Sequence, residues 1–213
     1  MSPLARLAVL FAALSLAPAA AAAAPFPGLT DLHALAVKAG VNRVPAMTAD
    51  GREGLIVEGF KTYFNADGSH DTFMVLTHTS DRDTPWTLVT TGASKVYDPD
   101  AQEVLDDTPH TGEDFVGSVR FARARLNGLP VFVLLLAHRD MEGPIPAPSH
   151  VTIRLYTLEK ADGQDGDHFL LQGEFKPAAC YGDSDLALYK EVGLALPKGY
   201  EGPDAAKPCG VYP

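Results

Sequence analysis

This 213-residue chain is short of cysteine, tryptophan and positive charge. Two cysteines are too few for a disulfide-built scaffold or a cysteine-rich zinc module. Seventeen Lys+Arg against 27 Asp+Glu leave a net charge of −10. That balance repels phosphate backbones and anionic lipid, which argues against nucleic-acid and membrane-surface roles. No apolar run reaches the roughly 20 strongly hydrophobic residues of a membrane-spanning helix, so no membrane insertion is expected. Nucleophile motifs are missing too, with neither Gly-x-Ser-x-Gly nor Ser-x-x-Lys. Phosphate-cradling glycine loops of the Walker or Gly-x-Gly-x-x-Gly kind are absent. Nothing in the pattern calls for a cofactor.

What the chain does have is apolar material: 46% hydrophobic residues, including 10 Phe and 7 Tyr. A core can be buried, and a length near 200 residues suits one domain. The first 24 residues read as a removable export signal. Arg6 precedes an apolar stretch from Leu7 to Leu16, Pro18 breaks it, and Ala19 to Ala24 offer small residues for cleavage. The mature domain is then 25–213, in the periplasm or outside the cell. The Ala-, Pro-, Gly- and Arg-rich vocabulary, shared with high-GC bacterial genomes, favours the periplasm. Cys180 and Cys209 fit such an oxidising space as a single disulfide closing a loop of roughly 30 residues.

The local patterns predict a mainly antiparallel β domain, a meander forming a curved sheet, sandwich or partly open barrel. A short helix is expected at each end, making the domain α+β by strict count. Thr30-Asp31 as a cap, Leu32, Leu35, Ala36 and Ala39 on one stripe, and Gly40 as a stop predict the first helix over 31–39. Ser184 and Asp185 as starters and Gly193 as a stop predict the second over 184–193. Between them seven runs favour strands: 55–64, 71–79, 86–91, 115–126, 129–138, 151–158 and 168–175. Asn127-Gly128 is the clearest joint, because both central residues of a type I′ hairpin turn need positive φ. A tail from Pro197, rich in Pro and Gly, is expected to be irregular and pinned through Cys209.

Four constellations bear on function. The stretch 98–114, with Asp106 and Asp107 at its centre and no Lys or Arg, has the oxygen chemistry calcium favours but no EF-hand spacing; it reads first as a solvated acidic loop. Asp162–Asp167 reads as a hairpin tip. His78, His138 and His150 sit at strand ends; were they to meet, they would form an open three-nitrogen zinc site. Arg123 and Arg125 share a face with Phe121, and interior-facing charge there suits recognition of an anionic group. The expectation is an exported, soluble binding or interaction module, non-catalytic by default, for a small molecule or a protein partner. The alternatives are a periplasmic hydrolase using carboxylate and histidine chemistry, with pairs such as His138 and Asp140, or a calcium- or zinc-stabilised structural protein.

Overall fold

The computed structural model describes residues 25–62, 69–92, 101–107, 110–111, 114–140, 147–160 and 166–210. The expected signal segment, Asp98 and Asp100 of the acidic stretch, and most of the 162–167 tip lie outside them. Among the described residues there are twelve strands: β1 (Leu29–Ala34), β2 (Gly40–Val44), β3 (Gly54–Lys61), β4 (His70–His78), β5 (Trp86–Gly92), β6 (Leu105–Asp106), β7 (His110–Thr111), β8 (Asp114–Phe115), β9 (Gly117–Leu126), β10 (Leu129–Arg139), β11 (Val151–Lys160) and β12 (Asp167–Phe175). The seven predicted runs correspond to β3, β4, β5, β9, β10, β11 and β12.

These strands curl into an open half-barrel. Its order is β1-β9-β10-β11-β12-β5-β4-β3-β2, with β6 added against β4, while β7 and β8 pair separately. Along that order all neighbours but one are antiparallel, and apart from β1 with β9 these are partners consecutive in the chain, as expected of a meander. The exception is the seam between β12 and β5, which is parallel and pairs His168 with Thr90, Phe169 with Thr91 and Leu170 with Gly92. No crossover helix is required here, because the two strands are not consecutive. Each closes a separate antiparallel stack, and the stacks meet side by side.

The N-terminal helix is not formed; β1 stands in its place. Asp31 adopts φ 51°, and the pairing of β1 with β9 slips between Thr30 and His33. One extra residue in a strand turns a two-residue period locally into three, so Leu29 and Leu32 mimic helical spacing. Beyond the bulge the chain changes sides. Leu29 and Leu32 pack on the convex face of the sheet, Leu35 and Val37 on the concave one. The C-terminal helix does form, as α1 (Ser184–Ala187) running into a π turn over Leu188–Val192. Asp183 caps it by accepting from the amides of Asp185 and Leu186, and Gly193 ends it at φ 80°.

Strand alternation gives the sheet two cores. The concave side collects Val44, Ile56, Phe73, Val75, Val89, Phe121, Phe132, Leu134, Leu158 and Phe169. Its centre is aromatic: Phe121 stacks on Phe132 at 6.2 Å and meets Phe169 at 6.4 Å and Phe73 at 5.9 Å. The convex side, carrying Val133, Leu135, Ala137, Ile153 and Leu155, is covered by Phe26, Tyr181, Leu186, Leu188 and Leu194. The C-terminal segment therefore acts as a lid over the convex face. The Cys180–Cys209 disulfide is present, with Cα atoms 5.1 Å apart.

Candidate functional site

The concave core runs out toward one end of β10 and β11. Along β10 the inward series Phe132, Leu134, Leu136, His138 passes from buried to exposed. Along β11 the series Leu158, Tyr156, Arg154 does the same. Because the strands are antiparallel, Leu134 lies opposite Tyr156 and Leu136 opposite Arg154, so both series end together. On β9, Gly117 sits opposite His138 and contributes no side chain. The space left over is a cleft of about 660 Å³.

Its walls are mixed. Leu105, Leu136, Ala137 and Leu171 supply apolar surface; Gln102, Asp106, His138, Arg154, Tyr156 and Glu174 supply polar groups. Arg154 and Glu174, a cross-strand pair, are joined by a 2.9 Å ion pair that orients both at the rim. Desolvation pushes the Tyr156 phenol above its ordinary pKa of 10, with Glu174 reinforcing the shift and Arg154 opposing it, so it presents a neutral hydroxyl. Thr91 and Gln102 hold the far wall through a reciprocal pair, the Thr91 amide donating to the Gln102 carbonyl at 3.0 Å and the Gln102 amide to Thr91 Oγ1 at 3.1 Å. The His138 side chain is exposed where it lines the cleft.

The residues singled out from sequence scatter. His138 and Asp106 line the cleft. Asp106 also lies 3.8 Å from His70 Nε2, whereas Asp107 is buried and accepts from the Asp71 amide at 2.8 Å. His78 ends β4 on the outward face, edge-on to Trp86 at 5.1 Å; the inward phase of that strand belongs to Phe73, Val75 and Thr77. His150 lies near the disulfide, 3.8 Å from Cys209 Sγ. The three histidines are not brought together. Among the described residues the only trio of metal-ligating side chains in mutual reach is His150, Cys180 and Cys209.

Arg123 and Arg125 occupy the end of β9 away from the cleft, and both are exposed. Arg123 donates to the backbone carbonyls of Pro45 and Ala46, just past β2. It thereby spans the open side of the half-barrel, which accounts for a charge at the end of an apolar face. Arg125 donates to the Gly128 carbonyl at 2.6 Å and lies 3.4 Å from Asp31.

Sequence reasoning missed Arg154, Tyr156 and Glu174. The signal was there: in 151–158, alternation puts Arg154 at the end of the Tyr156–Leu158 face, the same logic that singled out Arg123.

No protein-family model matches the chain, and no curated protein matches it in sequence. Among solved structures, the crystal structure of CarG is similar, with 14% identity over 74% of this chain and 94% of that one, at a TM-score of 0.55. At that identity the likeness concerns the fold alone.

Proposed function

We propose that the protein is an exported, non-catalytic binding module that holds a small molecule in the cleft at the open end of the half-barrel. The observation that carries this reading is the cleft itself. Its volume falls in the range of small-molecule sites, and a few polar groups converge on an apolar floor. The chemistry suits a ligand with an apolar body, resting on Leu136 and Leu171, and polar substituents facing His138, Tyr156 and the Arg154–Glu174 pair. The disulfide is compatible with an oxidising compartment of export. No helix among the described residues is long and apolar enough to cross a membrane.

Native mass spectrometry of the protein purified from that compartment is the test. The expected spectrum carries an added mass that is lost on denaturation. His138→Trp fills the cleft from an exposed position and is expected to abolish that mass while leaving the fold intact. Retention of the same mass by the variant would overturn the assignment of the cleft.

A second reading uses the same walls. Asp106, Glu174 and His138 are the acid–base groups lining the cleft, and a hydrolase would employ them as general acid and base. Turnover of a bound compound that is lost in both Asp106→Asn and Glu174→Gln would favour it.

A further inference from the structure

We infer that His150, Cys180 and Cys209 form a binding site for a zinc-class divalent cation once the disulfide is reduced. One ligating atom from each of the three lies within 4.8 Å of the other two, and His150 Nε2 is 3.8 Å from Cys209 Sγ. In a tetrahedral site with zinc–sulfur bonds of about 2.3 Å and zinc–nitrogen bonds of about 2.0–2.1 Å, nitrogen and sulfur ligands stand roughly 3.5 Å apart. His150 Nε2 is therefore already near its place against Cys209 Sγ, and the sulfurs must part to about 3.8 Å. Two thiolates and one imidazole are a donor set that zinc favours, and the fourth position stays open to water.

The three ligands do not depend on the bridge to stay together. Ser149, next to His150, and Tyr181, next to Cys180, exchange reciprocal backbone hydrogen bonds at 3.1 and 3.0 Å. The Lys207 amide donates to the Cys180 carbonyl at 3.1 Å, and the Gly210 amide to the Pro148 carbonyl at 3.0 Å. All three segments are thus tied by backbone, with Cys180 buried, His150 half-buried and Cys209 exposed. Reductant and metal both have access from the Cys209 side. None of the three lines the cleft, so this site is independent of the binding proposal.

The chemistry has two steps. A dithiol reductant gives two electrons and two protons to the disulfide, leaving two protein thiols and its own disulfide. The cation then displaces both thiol protons and binds the two thiolates and His150. A disulfide oxidant takes the two electrons back, becoming its own dithiol as the protein sulfurs rejoin and the cation is released, so metal and bridge are mutually exclusive.

The test is a cobalt titration. Protein isolated with its disulfide is reduced with a phosphine, which avoids competing thiols, then freed of reductant without air and titrated with Co²⁺. The expected result is a thiolate-to-cobalt charge-transfer band saturating at one equivalent and displaced by zinc. His150→Ala is expected to weaken binding by about tenfold or more, through loss of one of three ligands, and Cys209→Ser to abolish the band. Four results would overturn the proposal: no band in the reduced protein, equal affinity in His150→Ala, equal binding by the oxidised protein, or loss of β-sheet circular dichroism on reduction alone.

Discussion

At the scale of single residues, charge in this protein is mostly spent on architecture. Arg52 is the clearest example. It donates to Asp167 and to the His78 carbonyl at 2.8 Å, and forms a second ion pair with Asp50 at 2.8 Å, tying the approach to β3 to the end of β4 and the start of β12. Asp167 keeps only 3% of its side-chain surface exposed. Removing its partner leaves a buried carboxylate without a counter-charge. Arg52→Met is expected to cost roughly 2 kcal/mol in urea denaturation, less than a fully buried pair would because Arg52 is partly solvated. Asp167→Asn in the Arg52→Met background is expected to recover part of that loss. Asp50 adds a pH signature. A hydrogen bond from Thr48, then the Arg52 guanidinium, lowers its pKa from 3.8 to about 2. The unfolded chain therefore takes up this proton first as pH falls. Its contribution is complete above about pH 5 and lost as pH falls toward 2. The acid limb of wild-type stability is expected to be steeper than that of Arg52→Met, as measured by urea midpoints between pH 5 and 2.

At the scale of elements, turns and long strands were the most legible features. Asn127 and Gly128 take φ values of 52° and 82°, as the hairpin signal requires. A Cβ on Gly128 would meet nothing within 4 Å, so only backbone strain opposes a side chain there. Gly128→Ala is expected to lower stability by about 1 kcal/mol, a value thermal or urea unfolding would check. Over 31–39 the apolar spacing predicts a helix, whereas the chain forms β1 with a bulge at Asp31 that shifts the phase of the strand. In β4 the strand-end His78 falls on the outward phase, because Phe73 and Val75 occupy the inward one. Alternation marks two faces without saying which one is buried, and only the neighbouring strands decide. The cleft was half-legible for the same reason. His138 and Asp106 were singled out separately, but the register of β10 on β11 and the placing of β6 against β4 are long-range facts that put them on facing walls.

At the scale of the whole molecule, the parallel seam between β12 and β5 has a kinetic consequence. The stack β2–β5 is built from contacts close in sequence, and so is the stack β9–β12, whereas the seam joins position 90 to position 168 through three described residue pairs. Loop-closure entropy makes such distant ladders, this seam and the pairing of β1 with β9, the slow ones to form. Each hairpin stack is thus a folding unit that can assemble early, and docking along the seam is the late, rate-limiting event. Phe169 sits on the seam and Ile56 inside one stack, both fully buried. Truncating Phe169 to Leu is therefore expected to act mainly by accelerating unfolding, and Ile56→Val to slow refolding in proportion to its loss of stability. Chevron measurements on the two variants separate these outcomes, and a half-barrel that folds as two docked sheets would breathe along that same line in its native state.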